Sequence, residues 1–175
     1  MSEHIPLQLH LSICPFLVET VSPVRNQKPS SFELAKPCGG LWTSTYDPHA
    51  HSAAWVDWLA GQGEYIDPRS CYWFLLTPIH NAKVYTIDSH NDLTLLLNRY
   101  PRAFSDRSIK YRYIDFEAMS QRYDALHLTT KGQQMTSDES DYANLSDWSV
   151  ECTLWFRWCF TEVQRIAGYR YAFSS

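Results

Sequence analysis

"KPCGGLWTST", Lys36 to Thr45, decides how the chain is read. Two adjacent glycines, Gly39 and Gly40, run into Leu41, Trp42 and three consecutive hydroxyl residues, Thr43, Ser44 and Thr45. A residue without a Cβ lets the chain turn sharply or lets another group approach the backbone. The stretch is therefore either a turn before a Thr-rich edge strand or a strand entrance shaped to hold a ligand against Trp42. In the second case the alcohols offer hydrogen bonds on both strand faces, and the indole offers a stacking plane.

Upstream, "LQLHLSI" alternates Leu7, Leu9, Leu11 and Ile13 against Gln8, His10 and Ser12. Strict period two predicts a strand with one buried apolar face and His10 on the polar one. Residues 22–31 hold two prolines and no periodicity, which reads as a loop. Downstream, "HSAAWVDWLAGQG" predicts a helix with Trp55, Trp58 and Leu59 on one face and a glycine end. "CYWFLLTP" and "AKVYTIDS", rich in aromatic and β-branched residues, predict strands. "NDLTLLLNRY" predicts a short helix capped by Ser89 or Asn91. "IDFEAMSQRYD" predicts another, feeding a strand in "ALHLT". Lys131 to Asp147 is polar, seventeen residues long and without an apolar pattern, so it reads as a loop that is functional or mobile. It leads into "WSVECTLWFRW", an aromatic-rich strand. With no repeat, low-complexity tract or boundary, residues 1–175 are expected to form one α+β domain whose helices and strands do not alternate regularly.

The chain is long enough to bury a core. Seven Trp and eleven Tyr among 175 residues are more rings than so small a core hides, which points to an aromatic-lined groove. A net charge of −4 gives no general attraction to nucleic acid. Arg99, Arg102, Arg107, Lys110 and Arg112 leave open a local basic surface, the plain alternative being a solvated loop. Five cysteines without a CxxC pair suit free thiols in a reducing compartment. "MSEHIPLQLH" carries neither a basic start nor an apolar run, so no signal peptide is expected. No stretch has the apolar length to span a bilayer. A soluble, cytoplasmic protein without a membrane partner is the expectation.

Glu151 is the first candidate for chemistry. On a strand through "WSVECTLWFRW", Glu151, Thr153 and Trp155 share one face, while Val150, Cys152 and Leu154 share the other. A carboxylate between rings is costly to bury unless it has a partner or meets a cleft. It is either a surface residue on an open sheet face or a carboxylate aimed into a groove. His10 is either a surface strand residue or a ligand-binding one. In "DPHAHS", His49 and His51 stand two apart near Asp47 and Asp57, but no third metal ligand is evident. His127 has no neighbouring motif and defaults to a structural role. "CGGLW" echoes the "CGSCW" of papain-like proteases, yet Leu41 stands where the attacking cysteine would be, leaving only Cys38 as a thiol candidate. Neither common phosphate-binding loop, GxGxxG or GxxxxGK[ST], is present.

"LQLHLS", the hydroxyl strand "LWTST", and a long loop leading into the strand Glu of "DWSVECT" resemble, in that order, the ADP-ribosyltransferase superfamily of toxin-like enzymes. The resemblance implies a split sheet around a cleft that holds NAD, flanked by a few helices. It implies Glu151 as the catalytic carboxylate, with Thr43 and Ser44 standing for the Ser-Thr-Ser motif that orients it. His10 would bind the nicotinamide-side ribose or its phosphate, and Gly40 and Trp42 would line the same NAD site. No metal is implied. Having a first-strand His together with a hydroxyl strand mixes two subclasses of the family. Ser149, two before Glu151, replaces the Gln or Glu of members that modify arginine. The implied acceptor is therefore another macromolecule, protein or nucleic acid, and a neutralising partner protein would suit a cytoplasmic toxin. Two other classes stay open: a non-catalytic binding or inhibitor module using an aromatic groove, and a small metallohydrolase built on His49 and His51.

Overall fold

The strand that leaves the double glycine is the hub of the molecule. In the computed structural model, which describes residues 5–28, 35–62, 67–104 and 109–167, β2 (Leu41–Asp47) changes neighbour along its length. Its first three residues pair antiparallel with β7 (Cys152–Trp155), Thr43 facing Thr153. Its middle pairs antiparallel with β1 (Gln8–Ser12), Ser44 facing Leu9 and Thr45 facing Gln8. Its last two residues pair with β3 (Ser52–Ala53). Neither long neighbour follows β2 to its end, and the gaps left on the two sides position the candidate site.

The remaining strands extend this hub in both directions. Beyond β1 lie β4 (Tyr72–Pro78) and β8 (Phe160–Ile166), both antiparallel. Beyond β7 lie β6 (Ala125–Leu128) and β5 (Val84–Ile87), the latter two parallel. The path across the sheet is β5-β6-β7-β2-β1-β4-β8, with β3 attached to β2. Four helices accompany it among the described residues: α1 (Ala54–Gln62), α2 (His90–Arg99), α3 (Phe116–Ser120) and α4 (Thr130–Met135). The result is one mixed α/β domain around a large open sheet.

Helix ends follow local chemistry. Ser89 caps α2, its hydroxyl accepting from the Asp92 N–H, and Asp115 caps α3 through the Ala118 N–H. Leu93, Leu96 and Leu97 of α2 then meet Phe116 and Met119 of α3, Leu126 and Leu128 of β6, and Leu154 in the main core. On the other side of the hub, Leu9, Val56 of α1 and Trp73 form a smaller cluster. A third joins Phe74, Leu76, Trp155 and Phe160.

Several expectations need correction. β1 does not bury one aliphatic face: Ile13 is exposed, whereas Gln8 is fully buried. As an inner strand β1 is covered on both sides, and the amide of Gln8 is accommodated because Pro6, Thr43 and Thr45 give it partners. The Lys131–Asp147 segment is not all loop, since α4 opens it, capped where the Thr129 hydroxyl accepts from the Gly132 N–H. The aromatic strand is shorter than predicted: β7 runs only from Cys152 to Trp155, and the chain bends at Phe156 and Arg157. β3 and β8 have no counterpart in the sequence reading. Residues 29–31 of the loop, Gly63 at the helix end and Arg107 of the basic run lie outside the described residues.

All five cysteines are free, and the deeply buried Cys152 thiol is pushed well above its ordinary range by burial, with the Glu151 charge adding to it. No helix among the described residues is long and apolar enough to cross a membrane.

Candidate functional site

The double glycine has a packing role. Gly39 and Gly40 both sit at φ +75°, the left-handed region that disfavours side chains. A Cβ on Gly39 would come within 2.4 Å of the Pro23 carbonyl oxygen, and one on Gly40 within 2.4 Å of Leu154 Cδ1. The turn thus delivers Leu41–Thr43 into register against β7. It also leaves Gly40 on the wall of a cavity.

Glu151 stands one residue before β7, buried, and its carboxylate is held from several directions. The Ser44 hydroxyl donates to Oε2 at 2.6 Å, and the Thr45 hydroxyl donates to Oε1 at 2.8 Å. The Thr45 N–H donates to both oxygens, at 3.2 and 3.1 Å. Continuing the β2–β7 register would set Thr45 opposite Glu151. The carboxylate therefore takes an N–H that a regular ladder would give to a carbonyl, and the sheet opens at that point.

Behind this clamp runs a buried polar chain. The Trp155 indole N–H donates to the Thr43 hydroxyl at 2.9 Å, and that hydroxyl donates to the Gln8 side-chain oxygen at 2.6 Å. The Gln8 amide nitrogen donates in turn to the Thr45 hydroxyl at 3.3 Å. His127 Nδ1 lies 2.8 Å from the Thr153 hydroxyl and 3.7 Å from Glu151 Oε1. A satisfied network of this kind, shielded from water, fixes its members in one arrangement.

On the opposite flank of β2 the β1 ladder ends at Leu9–Ser44, and His10 closes the gap: its Nδ1–H donates to the Trp42 carbonyl at 2.9 Å. Burial lowers the His10 pKa and so favours the neutral ring, an effect that the hydrogen bond to Trp42 offsets only in part. A cavity of about 240 Å³ opens here, walled by His10, Gly40, Trp42, Ser44, Trp55 and Val56. A neighbour of about 180 Å³ shares Trp42 and Trp55 and adds Lys36, Trp58, Trp148 and Ser149. Trp42 meets Trp148 edge-on, centroids 4.9 Å apart. Together the two reach the lower part of the roughly 300–1,000 Å³ usual for ligand sites.

The structure thus brings Glu151, Ser44 and Thr43 into one polar cluster, and His10, Gly40, Trp42 and Ser44 around one cavity. Ser44 belongs to both. Glu151 lines neither cavity; its carboxylate is reached through Ser44. Sequence reasoning missed Thr45 as a direct partner, although it stood in the hydroxyl triplet. It also missed Gln8, His127, Trp55 and Lys36. Gln8 and His127 carried no signal, being lone polar residues in apolar strands.

His49 and His51 are not gathered with other ligands. His51 Nδ1 contacts the Tyr46 hydroxyl at 3.3 Å, and among the described residues no group of three or more His, Cys, Asp or Glu is placed to hold a metal. Comparison with protein-family models, curated proteins and solved structures finds nothing that matches this chain. The chemistry therefore rests on the geometry.

Proposed function

We propose that the chain is an NAD-dependent ADP-ribosyltransferase-like enzyme, transferring ADP-ribose to a macromolecular acceptor. One observation carries the reading: Glu151 is clamped by Ser44 and Thr45 where β2 parts from β7, beside a Trp-walled cavity that Ser44 shares. The residues fit the substrate. Trp42 and Trp55 offer faces to a flat, cationic nicotinamide ring. Lys36 supplies a cation for a diphosphate, and His10 a polar edge for a ribose.

In the reaction the bond between the ribose C1′ and the nicotinamide nitrogen breaks. The bonding pair leaves with the ring, which departs as neutral nicotinamide, and positive charge develops on the sugar, as in glycoside cleavage. A carboxylate already fixed by three donors stabilises that charge without reorganising. The acceptor's nucleophilic atom then bonds to C1′ and releases its proton. Engagement of a sugar requires the Glu151 carboxylate to be reached past the Ser44 hydroxyl.

A binding module without catalysis is the competing reading, favoured by one fact: Glu151 is 7% exposed and already satisfied. Calorimetry with NAD, together with nicotinamide release measured with cell extract present, separates the two. The enzyme reading expects binding and release, with release lost in Glu151→Gln while folding persists. Absence of both binding and release hands the site to the binding module.

A further inference from the structure

A second pair of cavities lies along the basic run. One of about 280 Å³ is walled by Arg102, Phe104, Lys110, Tyr111, Arg112 and Tyr113, with no carboxylate among the described residues that line it. Another of about 260 Å³ shares Tyr111, Arg112 and Tyr113 and adds Ala35, Glu139 and Asp147. Rings and cations interleave here. The Arg102 guanidinium sits 4.7 Å from the centre of the Phe104 ring, and Phe104 meets Tyr113 edge-on at 5.6 Å. Tyr111 and Tyr142, both exposed, meet edge-on at 5.7 Å.

Two features show that this wall is more than solvated loop. Arg102 donates through Nη2 to the Gln27 carbonyl, yet its buried Nη1 has no hydrogen-bond partner. A buried guanidinium nitrogen left open is costly and is satisfied by an incoming acceptor oxygen. The wall of the second cavity also adjoins that of the candidate site. Ala35 and Asp147 on its wall are the chain neighbours of Lys36 and Trp148, which wall the Trp cavity. The Trp148 indole N–H donates to the Ala35 carbonyl at 2.9 Å, binding the two walls together.

We propose that this aromatic and cationic track, from Arg102 past Tyr113 to Lys36, seats a single-stranded nucleic acid. Its use as the acceptor of ADP-ribose rests on the reading above. Bases stack on rings while phosphates meet Arg102, Lys110 and Arg112. Glu139 and Asp147, on the wall of the second cavity, would accept from base amino groups rather than meet phosphates. A phosphorylated peptide would use the cations and leave the rings idle, so the interleaving favours the nucleic acid. Overall charge is negative, so binding is local and short, not a broad electrostatic attraction.

The test is fluorescence anisotropy of the full chain with labelled single-stranded RNA and DNA of about ten nucleotides, within the usual site sizes. Binding is expected, with a salt slope of about −2 for three neutralised phosphates. Tyr111→Ala is expected to weaken it by roughly fivefold or more, Tyr111→Phe to restore it, and Arg112→Gln to flatten the salt slope. Basal nicotinamide release should be unchanged in all three. Absence of oligonucleotide binding, or binding indifferent to these variants, overturns the seat even where NAD is cleaved. Binding of a phosphorylated peptide in place of the oligonucleotides also overturns it. Oligonucleotide binding that responds to the variants, without NAD turnover, upholds the seat and overturns only its role as acceptor.

Discussion

The two flanks of β2 solve the same problem with opposite chemistry. On the β7 side, where the ladder stops, a carboxylate accepts the Thr45 N–H. On the β1 side, where the other ladder stops, an imidazole donates to the Trp42 carbonyl. Each side chain replaces a backbone partner, so neither opening leaves an orphaned group. The difference lies in how firmly each is held. Glu151 has two hydroxyls, a backbone N–H and His127 around it, whereas the hydrogen bond from His10 to Trp42 tethers a half-buried ring on a cavity wall. One flank is an anchor and the other a gate-post, which teaches where charge is fixed and where a ligand has room to adjust.

The sharpest way to break that contrast is Glu151→Gln. An amide keeps one acceptor but turns its NH2 toward the Ser44 or Thr45 hydroxyl, costing about 1–3 kcal/mol of stability. For a chain of this size that lowers the melting temperature by roughly 2–4 °C per kcal/mol. On the proposed reaction, nicotinamide release falls on the order of 10²–10³-fold, because the charge facing the sugar is gone. A folded Glu151→Gln protein with unchanged release removes the carboxylate from the chemistry and leaves an anchor only.

Ser44→Ala sharpens the same flank with a smaller effect. It deletes the 2.6 Å bond to Oε2 but leaves both Thr45 donors in place. Because Ser44 is buried yet lines the cavity, its loss should cost about 1.5 kcal/mol by denaturant unfolding and about tenfold in release. If Ser44→Ala loses as much release as Glu151→Gln, Ser44 is a reacting group and not a positioning one.

The parts of this arrangement that the sequence announced are those that local rules control. Gly39–Gly40 marked a turn and the entrance of the strand that follows it. Leucine spacing with Ser89 ahead of it marked α2. The face shared by Thr153 and Trp155 was also legible, since alternation is local. What escaped depends on neighbours far along the chain. β8 shows the pattern of an edge strand, "FTEVQRI", mostly exposed, with too few apolar residues to stand out. α4 carries Gly132 inside it, a poor helix former kept because a Cβ there would meet the Ile87 carbonyl. Gln8 read as a polar-face residue and His127 as a structural one without a motif, because only the assembled strands bring their partners within reach. Their burial follows from strand order, and strand order is set by contacts that no short window contains.

The gate-post yields the smallest effect, and its sign is fixed. Burial holds the folded pKa of His10 below its ordinary value of 6.5. As pH falls past 6.5 the unfolded chain binds a proton at this residue while the native ring stays neutral, so stability declines as the solution is acidified. The loss runs from the unfolded value down to the lowered folded one and levels off below it. His10→Gln retains a side-chain N–H able to reach the Trp42 carbonyl but has nothing to titrate. Urea unfolding at about pH 7.5 and 5.5 should therefore show the parent losing more stability than His10→Gln across that interval, by less than Ser44→Ala loses at neutral pH. Parallel curves for parent and variant mean that the ring is already as well solvated as in the unfolded chain. The two flanks of β2 would then differ in charge alone, without the difference in confinement that separates anchor from gate-post.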